Sequence, residues 1–226
     1  MEVEIVHGPG SAAARLSLGP REAVTAEAGS MIAMHGHINM TTTTHKKSSG
    51  GILKAAKRLL AGESFFLNHY ETHGTGGDVW VAATLMGDMM TYDLQGGETL
   101  IVQSGSFTAC EHDVDIDLGW QGFKSLLSGE SVFWLRMSGQ GKVVLSSYGA
   151  IYPVQVDGSY IVDSGHIVAF NETLDFDITK AGKSWVSSFL GGEGLVCKFK
   201  GKGTVWVQSH NPSSFGGALG PMLRPR

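Results

Sequence analysis

The sequence predicts an all-β protein. Three related β units repeat with pseudo-threefold symmetry and close into a barrel- or prism-like fold of the double-stranded β-helix type, with short helices between units. Three observations carry this expectation. Glycine supplies 32 of 226 residues, much of it in short turn-like clusters, the punctuation of many short strands. Apolar and polar residues alternate with a period of two in several stretches, as half-buried strands require. One phrase is written three times, as "LLAGESFF" at 59–66, "LLSGESVF" at 126–133 and "FLGGEGLV" at 189–196. A repeat at near-constant spacing is the mark of stacked or ring-forming units.

Along the chain, "MEVEIVHG" at 1–8 alternates and reads as the first strand. The block "EAVTAEAGSMIAM" (22–34) returns as "ETLIVQSGSFTAC" (98–110) and "SYIVDSGHIVAF" (159–170). It aligns Gly29 with Gly105 and Gly165, and Ala33 with Ala109 and Ala169. The next strand follows as "HGHINMT", "EHDVDID" and "NETLDFD", which align Ile38, Val114 and Leu174 as inward apolar positions. Asn39, Asp115 and Asp175 fall between inward positions and point outward. Each unit then reads as two strands meeting at a turn ("LGPREA", "LQGGET", "QVDGSY"), a glycine-bearing strand and an alternating strand. A short helix ends at Gly-Glu, and a hairpin closes on a Gly-x-Gly that starts at Gly74, Gly139 or Gly201.

The last copy stops after "TVWVQS" at 204–209. The N-terminal "VEIVHGPGSAAARLSL" resembles "VVLSSYGAIYPVQV" at 143–156 and is expected to supply the missing strands. Met1–Val6 is therefore expected beside Val205–Ser209, closing a ring of three and removing exposed sheet edges. The inter-strand helices are placed at "SSGGILKAAKRLLAG" (48–62), "GFKSLLSG" (122–129) and "GKSWVSSFLGG" (182–192). Residues 1–210 form one domain; the tail 211–226 has no periodicity and is expected to be mobile or docked on a partner subunit.

Composition narrows the class. Hydrophobic content of 42% with 17% charged residues suits a globular core, and a net charge of −4 argues against a general polyanion binder. No run of 18 apolar residues marks a membrane span. The N-terminus reads as strand rather than targeting segment. Two distant cysteines without a CxxC point to a reducing compartment, and the cytoplasm is the expected location.

The blocks "AEAGSM", "GESFF", "SGSF", "VDSGHIVAF" and "GEGLVCKFKGKGTVWVQS" resemble the altered-inheritance-of-mitochondria 24 family over roughly residues 1–210. The resemblance implies a tryptophan RNA-binding attenuator protein-like all-β domain and an uncharacterised prokaryotic member. It carries over no catalytic residues. The family's mitochondrial member is linked to inner-membrane organisation, a location not transferred here.

The Gly-x-Gly elements precede apolar strands instead of joining strand to helix, so they read as turns and not as phosphate cradles. His35 and His37 form an H-x-H with His45 following, a pattern that can hold zinc, but the same register carries Glu111, Asp113, Asn171 and Thr173 and reads as a polar face. Asp113, Asp115 and Asp117 read as a solvated acidic strand. Cys110 takes the slot of Met34 and Phe170, and Cys197 that of Leu67 and Trp134, so both read as packed hydrophobes. Asp163, Ser164 and His166 are too close in sequence on one strand to make a triad. Glu63, Glu130 and Glu193 are the repeated polar positions, with a ligand or a structural role. Lys46, Lys47, Lys54, Lys57 and Arg58, with His45, form the one basic cluster, a surface for an anion or a partner.

No catalytic residues, metal or cofactor are assigned. The reading is a non-catalytic scaffold or interaction protein that assembles with itself and can take a protein partner. A first alternative is binding of RNA or an anionic membrane surface through the basic helix 45–58. A second is a small-ligand or metal-binding enzyme.

Overall fold

The computed structural model describes residues 1–43, 65–118, 134–180 and 195–223. Within them the chain is nearly all β and curls into a half-barrel. Strands β1 (Glu2–Val6), β2 (Ala13–Leu18), β3 (Ala23–Glu27), β4 (Met31–Met34), β5 (Asn39–Thr43), β6 (Leu67–Glu71) and β7 (Gly77–Ala82) come first. Next are β8 (Met89–Leu94), β9 (Thr99–Gln103), β10 (Phe107–Glu111), β11 (Val114–Asp117), β12 (Trp134–Gly139) and β13 (Gly141–Ser146). The long strands β14 (Ile151–Asp163) and β17 (Leu195–Gln208) flank β15 (Ile167–Asn171) and β16 (Asp175–Lys180), and helix α1 (Pro212–Leu219) follows.

The strands form three sheets. One is ordered β1-β2-β7-β4, the second β5-β6-β3-β10-β13-β8 and the third β11-β12-β9-β15-β17-β14, with β16 also on β17. All the ladders are antiparallel. Corresponding sequence blocks make corresponding pairs: β4 with β7, β10 with β13, and β15 with β17. Each of these ladders slips at the same place, between Met31 and Ala33, Phe107 and Ala109, or Ile167 and Ala169. Such a slip is a β-bulge, which bends the strand and raises its twist.

The core follows the alternation. Ile38, Val114 and Leu174 are buried while Asn39, Asp115 and Asp175 between them are exposed. Met40 stays 44% exposed where Ile116 and Phe176 pack on the core. One apolar cluster gathers Leu16, Val24, Tyr70 and Val79; another gathers Leu100, Phe107, Leu135 and Leu145. In the third, Phe170 meets Trp134, Phe176 and Phe199 at ring-centre distances of 5.6, 5.3 and 5.1 Å. Aromatic pairs at such separations add to what area burial alone contributes.

Three expectations need correction. The N-terminal strand does not lie in a ladder with Val205–Ser209. β1 forms a hairpin with β2, Glu2 opposite Ser17 and Val6 opposite Ala13, while β17 is already paired by β14 and β15. A strand has two edges, and a local hairpin costs less loop-closure entropy than a chain-long closure. The turn expected at "QVDGSY" does not separate two strands: β14 runs through it, with Gly158 opposite Gly201, both at positive φ. In the first two units the corner is clasped by a carboxylate, Glu22 accepting from Gly19 N–H at 2.8 Å and Glu98 from Gln95 N–H at 3.2 Å. Ser159 stands in that slot in the third unit and is too short to span the turn. Cys197 does not share the slot of Leu67 and Trp134. Those two face Glu27 and Gln103, and the residue facing Asp163 is Val196. Beyond these, the tail, read in sequence as lacking periodicity, is helical from Pro212 to Leu219. Asn211 caps it by accepting from Ser213 and Ser214 N–H, with Pro at the first turn, and Phe215 packs edge-on against Tyr148 at 5.6 Å.

Candidate functional site

Strands from corresponding sequence blocks are joined twice in this chain, each time by the same kind of ladder. β3 pairs with β10 through Ala26↔Ala109, Thr25↔Cys110 and Val24↔Glu111. β9 pairs with β15 through Val102↔Ala169, Ile101↔Phe170 and Leu100↔Asn171. Strands so joined are covered on both faces, which is why they read as nearly continuous apolar runs. Phe107, Ala109 and Cys110 on β10 are fully buried, as are Ile167, Val168, Ala169 and Phe170 on β15.

The third pair of matching strands is β4 and the C-terminal half of β14. Among the described residues β4 pairs with β7 alone and β14 with β17 alone. Both are sheet edges and both are apolar. Met31 is 36% and Ile32 58% exposed; Tyr160 is 48% and Ile161 58% exposed. Edges β1, β11, β16 and the N-terminal half of β14 carry protection of the kinds that prevent edge pairing, while the edge β5 (Asn39–Thr43) is uncharged but threonine-rich. β1 holds Glu2 and Glu4, β11 holds Asp115 and Asp117, β16 holds Asp175 and Asp177, and the N-terminal half of β14 holds Pro153. Met31–Met34 and Tyr160–Val162 have no charge and no proline.

The local turns differ as well. Gly29 enters β4 with φ of 93°, a left-handed conformation that glycine adopts at little cost. Gly105 and Gly165 enter β10 and β15 through short 3-10 turns at Ser104–Ser106 and Ser164–His166.

A concavity of about 670 Å³ lies over β3, β5, β6 and β10 of the second sheet and is lined by Glu22, Thr25, His69, Glu71 and Glu111 among others. Of its histidines, His69 is engaged at both nitrogens: Nδ1 is 3.0 Å from Thr25 Oγ1 and Nε2 is 2.7 Å from Thr43 Oγ1. The Met1 amine pairs with Glu22 at 3.2 Å and Glu111 at 3.3 Å in the same cleft. Beside β3's end, Glu27 is pushed up to about 7 by burial.

The candidate residues from sequence fall as follows. Glu63, Glu130 and Glu193, and the basic Lys46, Lys47, Lys54, Lys57 and Arg58 with His45, lie outside the described residues. His35 and His37 stack at 5.7 Å. His35 Nδ1 accepts from Asp78 N–H at 2.8 Å, and His37 Nε2 donates to Gly76 O at 3.1 Å, so each ring spends a nitrogen on the backbone. Cys110 and Cys197 are buried, and burial pushes the Cys197 thiol up to about 12. Asp163 accepts from Gly165 N–H at 2.8 Å, and His166 Nδ1 donates to the Gln208 carbonyl at 2.8 Å. The open junction was missed in sequence because β4 reads like β10 and β15; the only local signal was Ser159 in place of Glu22 and Glu98.

No helix among the described residues is long and apolar enough to cross a membrane. Comparison with known proteins adds the following. An uncharacterised protein of Streptococcus pyogenes serotype M6 is 28% identical over 197 residues, covering 84% of this chain and 78% of that protein. A crystal structure of a Streptococcus pyogenes protein shares the fold, with a TM-score of 0.78 at 24% identity over 98% of this chain and 99% of the other. The family model described as mitochondrial biogenesis AIM24 matches residues 3–210, and this chain belongs to that family.

Proposed function

We propose that this protein is a non-catalytic interaction module, built from three copies of one β unit, that assembles with itself through an exposed sheet edge. The observation that carries the reading is the contrast in exposure at matched positions. Ile32 is 58% exposed on β4, while its counterparts Thr108 and Val168 are 1% and 0% exposed. An uncharged apolar edge left open is a template for another strand, and strand addition is a recurrent way in which sheets take partners. Burying one Ile or Met side chain stabilises by roughly 1.5–3 kcal/mol, so covering this edge supplies a real driving force.

Light scattering across micromolar concentrations tests the reading. The expected result is a concentration-dependent assembly that Ile32→Lys shifts to the single chain. A wild-type protein that stays a single chain throughout the range counts against self-assembly.

A further inference from the structure

Resting on that reading, we propose the joint itself: β4 of one copy pairs antiparallel with the C-terminal half of β14 of a second copy, in the register Ala33↔Val162, Met34↔Ile161, His35↔Tyr160. The register is set by the two ladders already present in the chain. Ala26↔Ala109 and Val102↔Ala169 are the same contact between successive units, and the next member of that series is Val162↔Ala33. Thr25↔Cys110 and Ile101↔Phe170 continue as Ile161↔Met34. Val24↔Glu111 and Leu100↔Asn171 continue as Tyr160↔His35.

Both halves of this joint exist in one chain, at opposite ends of the series of units. Met31–Met34 and Tyr160–Val162 carry no charge or proline, whereas Glu2, Glu4, Asp115, Asp117, Asp175 and Pro153 blunt other edges; the uncharged edge β5 is threonine-rich and has no counterpart in this series of ladders. A foreign strand has no reason to match both halves; a second copy matches both by construction. The matched slots inside the chain show what the joint buries: Ile101, Val102, Ala109, Cys110, Ala169 and Phe170 are all fully buried.

Pairing between copies follows from how β14 runs. Without a glutamate to clasp the corner at Ser159, β14 stays in register with β17 for its whole length, from Ile151↔Gln208 to Asp163↔Val196. Its C-terminal half therefore remains with β17, and β4 remains at the end of its own sheet. Slipping the ladder by one residue would turn Met34 and Ile161 to the opposite faces, so the register is tightly specified. The joint is head to tail. Each copy uses its β4 on one neighbour and its β14 on the other, so growth ends only in a ring or continues as a filament.

Cross-linking with single-cysteine variants tests this. His35→Cys protein is mixed with Tyr160→Cys protein and oxidised with diamide; Met34→Cys with Ile161→Cys is the second pair. The native Cys110 and Cys197 are buried and stay out of the reaction. The expected product is a disulfide-linked pair of chains in each mixture, at least tenfold above either variant alone. Ile161→Lys is expected to raise the apparent dissociation constant of the assembly at least tenfold, and Asp115→Lys on the protected β11 edge to leave it unchanged. Wild-type assembly without cross-linking in either mixture overturns the joint and leaves self-assembly standing. A doubly substituted His35→Cys, Tyr160→Cys chain that closes on itself at every dilution also overturns it, since the sheet then closes within one chain. A wild-type protein that never assembles overturns both.

Discussion

Strands β4 and β10 begin from nearly the same sentence, "AGSMIAM" and "SGSFTAC", and end in different environments. β10 lies between β3 and β13 with Phe107, Ala109 and Cys110 fully buried. Among the described residues β4 has one partner, β7, and leaves Met31 and Ile32 in solvent. Both strands contain the bulge at the same residue, so local backbone shape is not what separates them. What separates them is whether a neighbour arrives on the second side. The comparison teaches that exposure of an apolar strand is a property of its position in the sheets and not of its own residues.

The largest expected effect tests that contrast directly. Phe107→Ala should cost about 3–5 kcal/mol, since a fully buried aromatic leaves both a transfer loss and a cavity. Met31→Ala, in the matched slot, should cost below ~1 kcal/mol when unfolding by urea is followed in dilute solution. Equal costs would mean that β4 is already covered in the single chain.

The next effect concerns Glu27, at the end of β3 in the joint with β10. Burial raises its carboxyl to about 7 from the ordinary 4.5. The folded protein then binds a proton that the unfolded chain has lost, so stability falls as pH rises from about 4.5 to 7 and is level above. The fall approaches ~3 kcal/mol at about 1.4 kcal/mol per unit. Glu27→Gln should remove this slope in pH-dependent chemical unfolding; an unchanged slope assigns it elsewhere.

Glycine substitutions give a smaller and sharper comparison. Gly29→Ala forces a side chain into φ of 93° and should cost about 1–3 kcal/mol. Gly105→Ala has only Gln103 Oε1 within 4.0 Å and no left-handed φ, so its cost should stay within about 0.5 kcal/mol in thermal unfolding. Equal costs would mean that the turns before β4 and β10 share one conformation.

The smallest effect lies across the joint of β9 and β15. Arg136 on β12 holds Glu172 with Nε to Oε1 at 2.8 Å and Nη2 to Oε2 at 2.9 Å. The hydrogen bond from Arg136 holds the Glu172 carboxyl below its usual range. This stability is present above the unfolded carboxylate range and is lost as pH falls through the depressed value. The pair is about a third exposed on both sides, so Arg136→Ala should cost about 0.5–1 kcal/mol, less in high salt. The open junction carries Lys198 and Gly36 in the matching slots, so the same test there, Lys198→Ala, should read near zero in the single chain.

Much of the architecture was legible in the residues. Period-two alternation located the buried Ile38, Val114 and Leu174, and block matching aligned the strands that later carry identical bulges. The helical tail was not read, because its lack of periodicity hid the start signal of Asn211-Pro212. The register of Cys197 was not legible: a one-residue slip in a glycine-rich stretch changes which residue faces Asp163, and sequence similarity does not resolve a single residue there.

Strand positions, bulges and burial faces are written in short-range chemistry, because alternation, turn residues and bulge-bearing glycine stretches act over a few residues. Partnership is not. Whether β1 completes the last unit or folds back on β2 depends on which edges of β17 are free, and β14 and β15 occupy both. Whether β4 is core or surface depends on whether a second strand lies beside it, since Met-Ile-Ala-Met reads the same with or without a neighbour. Hydrogen-bond ladders satisfy any compatible backbone, so the choice of neighbour belongs to the assembled sheets.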